Sequence, residues 1–282
     1  MRSDGTRVTD ESAIVAAVPY IMPKRFDAQN FITEYADMAP MRSYINQKRK
    51  EGVRISYMGL VLSAYHKAYL ENPKINRFIM NKHIYQRNHF CVSFVMLKTR
   101  KDGTPDEATL KVFFEPEDDI ISINDKIEKT IEENQDSSFD NATDKFANFM
   151  FSIPLLPRIV VGLARFLDYI GLLPRAIIDL SPFHTSLFIT NLASINLDEI
   201  YHHCYQFGTT GVFACMGRPT ANFRTGEFDK RVMPLSFVMD ERICTGIEYA
   251  RFCSSFMHYL KHPEQLENST KTEETAKEAA AV

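Results

Sequence analysis

The feature that most constrains the fold is a strand that runs directly into a helix near the C-terminus, PLSFVMDERICTGIEYARF (234–252). Its apolar first half predicts a buried strand ending at Asp240. Apolar residues then recur at helical spacing and predict a helix from about Thr245 to Lys261. A charged turn that ends in Gly246 joins the two. Because turns held between rigid elements often carry functional side chains, this turn is the first candidate for a site.

The rest of the chain carries further strand and helix signals. Ser56 can cap a helix that ends before Pro73, and residues 122–135 predict a second, exposed helix. Apolar side chains at every second position from Phe90 to Met96 are typical of a strand. Strands are predicted at 83–99, where a turn divides two of them, and at 107–116, 185–194, 211–218 and 232–240. This combination predicts a mixed α/β fold with antiparallel-type strands and a few long helices.

Length and composition bound the domain organisation. The chain has 282 residues, 45% of them hydrophobic, which is enough to bury a large core. We expect one domain over residues 13–265, between flexible polar ends at 1–12 and 266–282. A net charge of −3 does not favour nucleic acid as a partner. Five scattered cysteines indicate reduced thiols in a cytoplasmic protein, and we find no apolar run of the roughly 20 residues that a membrane span needs.

A mostly apolar segment at residues 146–180 is broken by three prolines. Charged residues within it include Arg158, Arg165, Asp168 and Arg175. We interpret the segment as an apolar helical insertion with three roles open. It packs on its own subunit or a neighbour, it lines a pocket for a hydrophobic acyl chain or acceptor, or it makes peripheral contact with a membrane surface.

Three stretches carry a resemblance to a known family. LSAYHKAYLENPKINRF (62–78) resembles a family helix that ends in Asn-Pro and a second Asn, and FITNLASI (188–195) resembles a strand with a Ser/Thr-Asn-Leu-Gly turn. Residues 237–266 resemble the family's Asp-His-Arg-x-x-Asp-Gly loop and closing helix. The family is that of the catalytic domains of dihydrolipoyl acyltransferases from 2-oxoacid dehydrogenase complexes, with chloramphenicol acetyltransferase as a relative. The resemblance covers most of residues 18–265 and implies their coenzyme A-dependent acyltransferase fold, an α+β sandwich with a mixed sheet and packed helices.

The family's chemistry gives roles to particular positions. The resemblance implies acyl transfer between coenzyme A, as the acyl-carrying substrate, and a thiol or hydroxyl acceptor. A family histidine removes the acceptor's proton, and a Ser/Thr hydroxyl donates to the oxyanion. Thr190, followed by Asn191, matches that hydroxyl. The resemblance also implies a homotrimer or a multiple of trimers with sites between subunits. An acyl-carrying partner protein is implied if lipoamide is the acceptor, because we predict no lipoyl domain in this chain.

Two chemically decisive positions of the loop differ from the family pattern. The residues that match the pattern are Asp240, Arg242 and Gly246. Glu241 stands at the histidine position, 51 residues after Thr190, and Thr245 stands at the aspartate position. A carboxyl has an ordinary pKa of about 4.3 against about 6.5 for an imidazole, so glutamate is the poorer base. Burial can make a glutamate a stronger base, whereas the guanidinium of a nearby Arg242 would make it a weaker one.

The exchange at position 245 affects the shape of the loop as well as its chemistry. The family aspartate pairs with an arginine and holds the loop. With Thr245 in its place, Arg25, the candidate partner, is expected to lack that carboxylate; a hydroxyl can still form a hydrogen bond, but the charge-assisted pair is expected to be lost.

Two functional hypotheses therefore remain open. In the first, the chain is an enzyme with a non-standard site, in which Glu241 or a recruited histidine handles the proton. Candidates for that histidine are His184, His202 and His203. In the second, it is a catalytically inactive trimeric scaffold or binding module that retains the fold. No metal is predicted, because the histidines and the cysteine at 202–204 are consecutive and point in different directions.

Overall fold

The structure, a computed structural model, describes residues 2–99, 103–135 and 152–267. A large mixed sheet runs through it. Its strands are β2 (Gln29–Asp37), β5 (Phe90–Thr99), β6 (Pro105–Phe114), β7 (Leu187–Asn191), β8 (Val212–Met216), β9 (Thr220–Asn222) and β10 (Glu227–Asp240). The strand order is β2-β10-β8-β7-β5-β6, and β9 pairs with the first half of β10.

The pairing directions explain how the sheet positions the candidate residues. Strand β7 lies parallel to both β5 and β8, while β10 lies antiparallel between β8 and β2. Thr190 pairs with Cys215, and Cys215 pairs with Ser236. Thr190 is therefore level with a residue five positions before Glu241. The mixed sheet with packed helices confirms the predicted fold class.

Helices cover one face of this sheet. The helices are α1 (Ala13–Ile21), α2 (Met38–Lys50), α3 (Tyr57–Glu71), α4 (Ile120–Gln135), α5 (Leu156–Tyr169), α6 (Arg175–Leu180) and α7 (Gly246–Lys261). Helices α2, α3, α4 and α7 share the main core with alternate strand residues such as Leu235 and Phe237. Tyr65 of α3 packs edge-on against Phe252 of α7. Ser56 Oγ accepts a hydrogen bond from the N–H of Gly59 at 2.9 Å, which confirms the predicted cap.

A small second sheet shows that the prediction of a flexible N-terminus was wrong for its first residues. Its strands are β1 (Gly5–Arg7), β3 (Arg77–Met80) and β4 (His83–Arg87), in the order β1-β4-β3. Before β1, Arg2 and Asp4 are buried, and Arg2 Nε lies 2.5 Å from Asp4 Oδ1. A second contact joins Arg2 Nη1 to Asp168 Oδ1 at 2.6 Å. Ion pairs anchor this end, so hydrophobic patterning gave no sign of it.

Within the insertion, helix α5 is exposed, whereas Leu173 and Ile178 further along are buried. Residues 146–151 of the predicted insertion and 268–282 of the predicted tail lie outside the described residues. Helix α5 contains no buried residue, and Ile159, Leu163 and Phe166 are 64%, 56% and 59% exposed. Their spacing of four and three places them on one outward stripe. Packing of this stripe on its own subunit is therefore wrong, whereas contact with a neighbour, an acyl pocket and membrane contact stay predictions. No helix in the described part of the chain is long and apolar enough to cross a membrane.

Candidate active site

The turn after β10 is held by one buried carboxylate between two buried arginines. Asp240 accepts hydrogen bonds from Arg242, at 2.8 Å from Nε and 2.7 Å from Nη2. Arg25 Nε approaches the same carboxylate at 3.4 Å. The three residues are 1–4% exposed. Because a buried charge is costly unless it is paired, this cluster fixes the path of the chain on both sides of Glu241.

Arg25 corrects one expectation. It was predicted to lose its charge-assisted pair because Thr245 replaces the family aspartate, yet it pairs with Asp240. Its guanidinium also donates to the backbone carbonyls of Tyr205 and Gly208. Burial lowers the pKa of Arg25, and the nearby Asp240 opposes that effect. The loop has thus kept an arginine anchor with a different carboxylate.

Thr245 has a structural position at the start of α7. Its N–H donates to Glu248 Oε2 at 2.7 Å, an arrangement typical of a capping box. Glu248 also binds Lys74, with 2.7 Å between Oε1 and Nζ. The helix therefore begins at Gly246 without an aspartate, and Thr245 contributes to its start.

Glu241 lies at the tip of the turn with its side chain exposed. Its backbone N–H donates to the carbonyl of Ala28 at 2.7 Å, so the backbone at this position is tied to the strand β2 side of the sheet. Arg242 was expected to act on Glu241 as its chain neighbour, but it turns inward to Asp240. Within one chain the carboxylate of Glu241 is thus presented to solvent.

Thr190 and Asn191 form the end of β7, and both are half-buried. The Asn191 Oδ1 atom is buried and has no hydrogen-bond partner among the residues that the structure describes. An orphaned buried acceptor costs about 1–3 kcal/mol, so a donor from another molecule would stabilise this position.

Thr190 and Glu241 do not meet within one chain. Their rows are five residues apart along β10, about 17 Å at the usual rise of a strand, and they lie two strands apart, about another 10 Å. A group that contacts both side chains must therefore lie between two copies of the chain or be a long ligand.

Solved structures with this architecture are known. No protein-family model matches the sequence, and no curated protein matches it. A probable dihydrolipoamide acetyltransferase from Listeria monocytogenes superposes with a TM-score of 0.53 at 13% identity, over 94% of this chain and 97% of that one. The Azotobacter vinelandii dihydrolipoamide acetyltransferase gives 0.54 at 13% identity, over 90% and 88%. A chloramphenicol acetyltransferase gives 0.55 at 12% identity, over 91% and 100%. The chain has the acyltransferase fold.

Within this acyltransferase fold, His184 is not accessible as a replacement base, whereas His202 is half-buried and His203 is exposed. His184 is fully buried, with Nδ1 at 2.8 Å from Ser181 Oγ and Nε2 at 3.1 Å from Asp168 Oδ1. Burial lowers the pKa of His184, and Asp168 opposes that effect. His202 stacks on Phe213 with ring centroids 4.0 Å apart. A fully buried ring with both nitrogens engaged is not open to a substrate.

The prediction that no metal is bound concerns residues 202–204 of the same region. Among the residues that the structure describes, no group of three potential ligands is placed to hold a metal ion. Cys204, which follows the two consecutive histidines, is buried, and burial raises the pKa of its thiol to about 12.

Sequence reasoning missed a charge network on the far side of the turn. Asp168 of α5 contacts both Arg2 and His184. Burial disfavours its charged form, but these two partners hold the pKa of Asp168 below its usual range. No local pattern joins residues so far apart in sequence, and the only signal was the presence of charges inside an apolar insertion.

Proposed function

We propose that the chain is a coenzyme A-dependent acyltransferase of the 2-oxoacid dehydrogenase acyltransferase type. It transfers an acyl group between coenzyme A and a thiol or hydroxyl acceptor, at a site shared by two neighbouring copies. The observation that carries the proposal is the opposite placement of Thr190 and Glu241 on one sheet, each accessible from outside, with a rigid ion cluster behind Glu241.

The proposed step needs one proton acceptor and one oxyanion donor. The Glu241 carboxylate takes the proton from the acceptor thiol or hydroxyl, whose sulfur or oxygen then bonds to the thioester carbonyl carbon. The carbonyl oxygen becomes an oxyanion that accepts a hydrogen bond from the Thr190 hydroxyl of a neighbouring copy. The carbon–sulfur bond to coenzyme A then breaks, and Glu241 returns its proton to the leaving thiolate.

The Azotobacter enzyme supports this assignment through spacing. A serine, a histidine and an asparagine were studied there for their roles in the catalytic mechanism, with 52 positions from the serine to the histidine and four from the histidine to the asparagine. Here 51 positions separate Thr190 from Glu241, and Thr245 follows four positions later. The hydroxyl, the proton acceptor and the loop position thus recur in the same order, with a carboxylate in place of the imidazole.

Assembly is part of the proposal. Burial of Glu241 against a neighbouring copy would remove water from the carboxylate and make it a stronger base. A donor from that copy or from the substrate would also satisfy the buried Asn191 Oδ1. We propose a homotrimer or a multiple of trimers, with an acyl-carrying partner protein where lipoamide is the acceptor. Sedimentation equilibrium tests the assembly, and a monomer at all concentrations would contradict it.

The second candidate function is an inactive trimeric scaffold that retains the fold. The observation in its favour is that Thr245 starts a helix and that Asp240, Arg242 and Arg25 stabilise the turn whether or not any reaction occurs. The two functions differ in one measurable property, because a scaffold gains nothing from the charge of Glu241.

Turnover of acetyl-coenzyme A with dihydrolipoamide and with small alcohols separates the two candidates. For the enzyme, Glu241→Gln should lower kcat by at least about a hundredfold. Thr190→Ala should lower it by about 100- to 1,000-fold. Glu132→Gln is the matched control, because it removes another exposed carboxylate, on α4, and should leave the rate unchanged. Coenzyme A binding by calorimetry without turnover, unaltered by Glu241→Gln, would favour the scaffold.

A further inference from the structure

A cavity of about 250 Å³ lies on the far side of the Asp240 turn, between α5, the turn that joins β3 to β4, and the loop at 206–209. The insertion contributes Arg165, Asp168 and Tyr169 to its walls, and the N-terminal segment contributes Arg2. Five cationic side chains line it: Arg2, Arg25, Lys82, Arg165 and Arg242. Neither Thr190 nor Glu241 lines it, so the cavity is separate from the acyl-transfer site proposed above.

Three of these cations are already paired with carboxylates. Asp240 pairs with both Arg25 and Arg242. Arg2 lies 2.5 Å from Asp4 and 2.6 Å from Asp168, the one carboxylate in the cavity wall. Because Asp168 is already paired with Arg2, its negative charge does not prevent the cavity from accepting an anion.

The other two cations have no ion pair within the described residues. Arg165 extends from α5, and Lys82 from the turn between β3 and β4, so they approach the cavity from different elements. Both side chains are exposed, and Lys82 Nζ lies 5.2 Å from the centroid of the Tyr20 ring. The cavity therefore carries two cations, Lys82 and Arg165, that can reach a bound group without breaking an existing ion pair.

The backbone at Lys82 adds an independent observation. Asn81 and Lys82 have φ angles of 45° and 60°, and Met80 pairs with His83 across them, as in a two-residue hairpin with both central residues left-handed. Glycine is the preferred second residue of such a turn. A lysine held in this unfavourable backbone conformation at the mouth of a cationic cavity fits a functional constraint rather than a local structural preference.

From this geometry we infer that the cavity binds a phosphate group of a small phosphorylated molecule. Arginine and lysine are the usual partners of phosphate oxygens, and two unpaired cations match the charge of a phosphate dianion. The volume is below the roughly 300–1,000 Å³ of pockets that enclose a drug-sized ligand, so it suits one or two phosphates with a small remainder. The inference does not rest on the proposed acyl transfer.

The test is calorimetric titration of the full chain with inorganic pyrophosphate at low and at moderate salt. We expect one saturable site per chain that weakens as salt increases. Arg165→Gln and Lys82→Gln should each weaken binding about tenfold or more, because each removes a charge-assisted contact. Arg158→Gln is the matched control: it changes an exposed arginine on the same helix that does not line the cavity, and it should leave the affinity unchanged.

Two results would overturn the inference. One is the lack of any heat signal at millimolar pyrophosphate. The other is an equal loss of affinity in Arg158→Gln and Arg165→Gln, which would indicate diffuse surface charge. Because the changed side chains are exposed, thermal unfolding should show that the variants remain folded. Arg165→Lys gives a second check, since it keeps the charge and should keep most of the affinity.

A competition arm identifies the source of the phosphate. If coenzyme A displaces pyrophosphate and Arg165→Gln weakens both ligands by the same factor, the phosphate belongs to coenzyme A. If coenzyme A leaves pyrophosphate binding unchanged, the ligand is a separate phosphorylated compound. Both results support the phosphate site, and an absence of acyl transfer leaves the pyrophosphate titration unaffected.

Discussion

Replacing Asp240 with asparagine is the sharpest test of how the candidate loop is held. The carboxylate is 1% exposed and lies between the guanidiniums of Arg25 and Arg242, which are 3% and 4% exposed. Asp240→Asn leaves two buried cations without a counter-charge. Breaking a buried ion pair by removing one partner costs about 3–5 kcal/mol. For a chain of this size, each kcal/mol corresponds to about 2–4 °C, so the melting temperature should fall by roughly 6–20 °C.

The assay is urea unfolding followed by circular dichroism, with Asp198→Asn as the matched control. Asp198 makes the same type of contact with an arginine, at 2.6 Å from Arg218, but the two side chains are 64% and 45% exposed. Its loss should cost less than about 1 kcal/mol. If the two variants unfold at free energies within about 1 kcal/mol of each other, burial does not set the strength of the Asp240 cluster and the account of the loop is wrong.

Further predictions concern the core, the cavity turn, the buried histidine and the exposed helix. Phe256→Ala removes a fully buried ring and should lower the free energy of unfolding by about 3–5 kcal/mol, as measured by urea denaturation. Lys82→Gly should raise the melting temperature, because glycine adopts the left-handed backbone without strain, and should weaken pyrophosphate binding at the same time; a fall in both would show that the turn is not strained. Because burial lowers the pKa of His184, the unfolded state binds a proton that the folded state does not, so stability should fall as the pH drops below about 6.5. His184→Gln should reduce that slope but not remove it, because burial also lowers the pKa of His66 and of His89; an unaltered slope would contradict the assignment. Phe166→Glu should change the free energy of unfolding by less than about 0.5 kcal/mol, since the side chain is 59% exposed, and a larger loss would mean that α5 packs on the chain.

Periodicity in the sequence was sufficient to predict strands β5, β6, β7, β8 and β10 and helices α3, α4 and α7, but strand β2 and helix α2 were not predicted. The alternation from Phe90 to Met96 became part of β5, and Ser56 caps α3 as predicted. These elements are stabilised by burial of apolar faces, and a buried face requires apolar residues at regular intervals in the sequence. The fold class followed from the same pattern.

Charge pairing leaves no regular pattern in the sequence. The predictions for Arg2 and Arg25 were wrong because ion pairs determine the contacts of both residues. Nothing local to Arg2 predicts its contact with Asp168, which is 166 positions away. The loss of the family aspartate at Thr245 suggested an unpaired Arg25, but the adjacent Asp240 had the correct charge and the correct position in space. Contacts of this kind depend on where the sheet brings chain segments together, which a linear pattern does not contain.

Thr190 and Glu241 lie far apart on the sheet of one chain, so a mixture of two altered chains can test whether neighbouring chains share one site. Two defective chains, one altered only at the hydroxyl and the other only at the carboxylate, should complement each other when they are refolded as a mixture. Random association in equal amounts would reunite the two intact groups at about one quarter of the interfaces in a ring of identical contacts. Recovery of the acyl-transfer rate on mixing would thus show that the site lies between two chains, because neither altered chain forms an intact site alone.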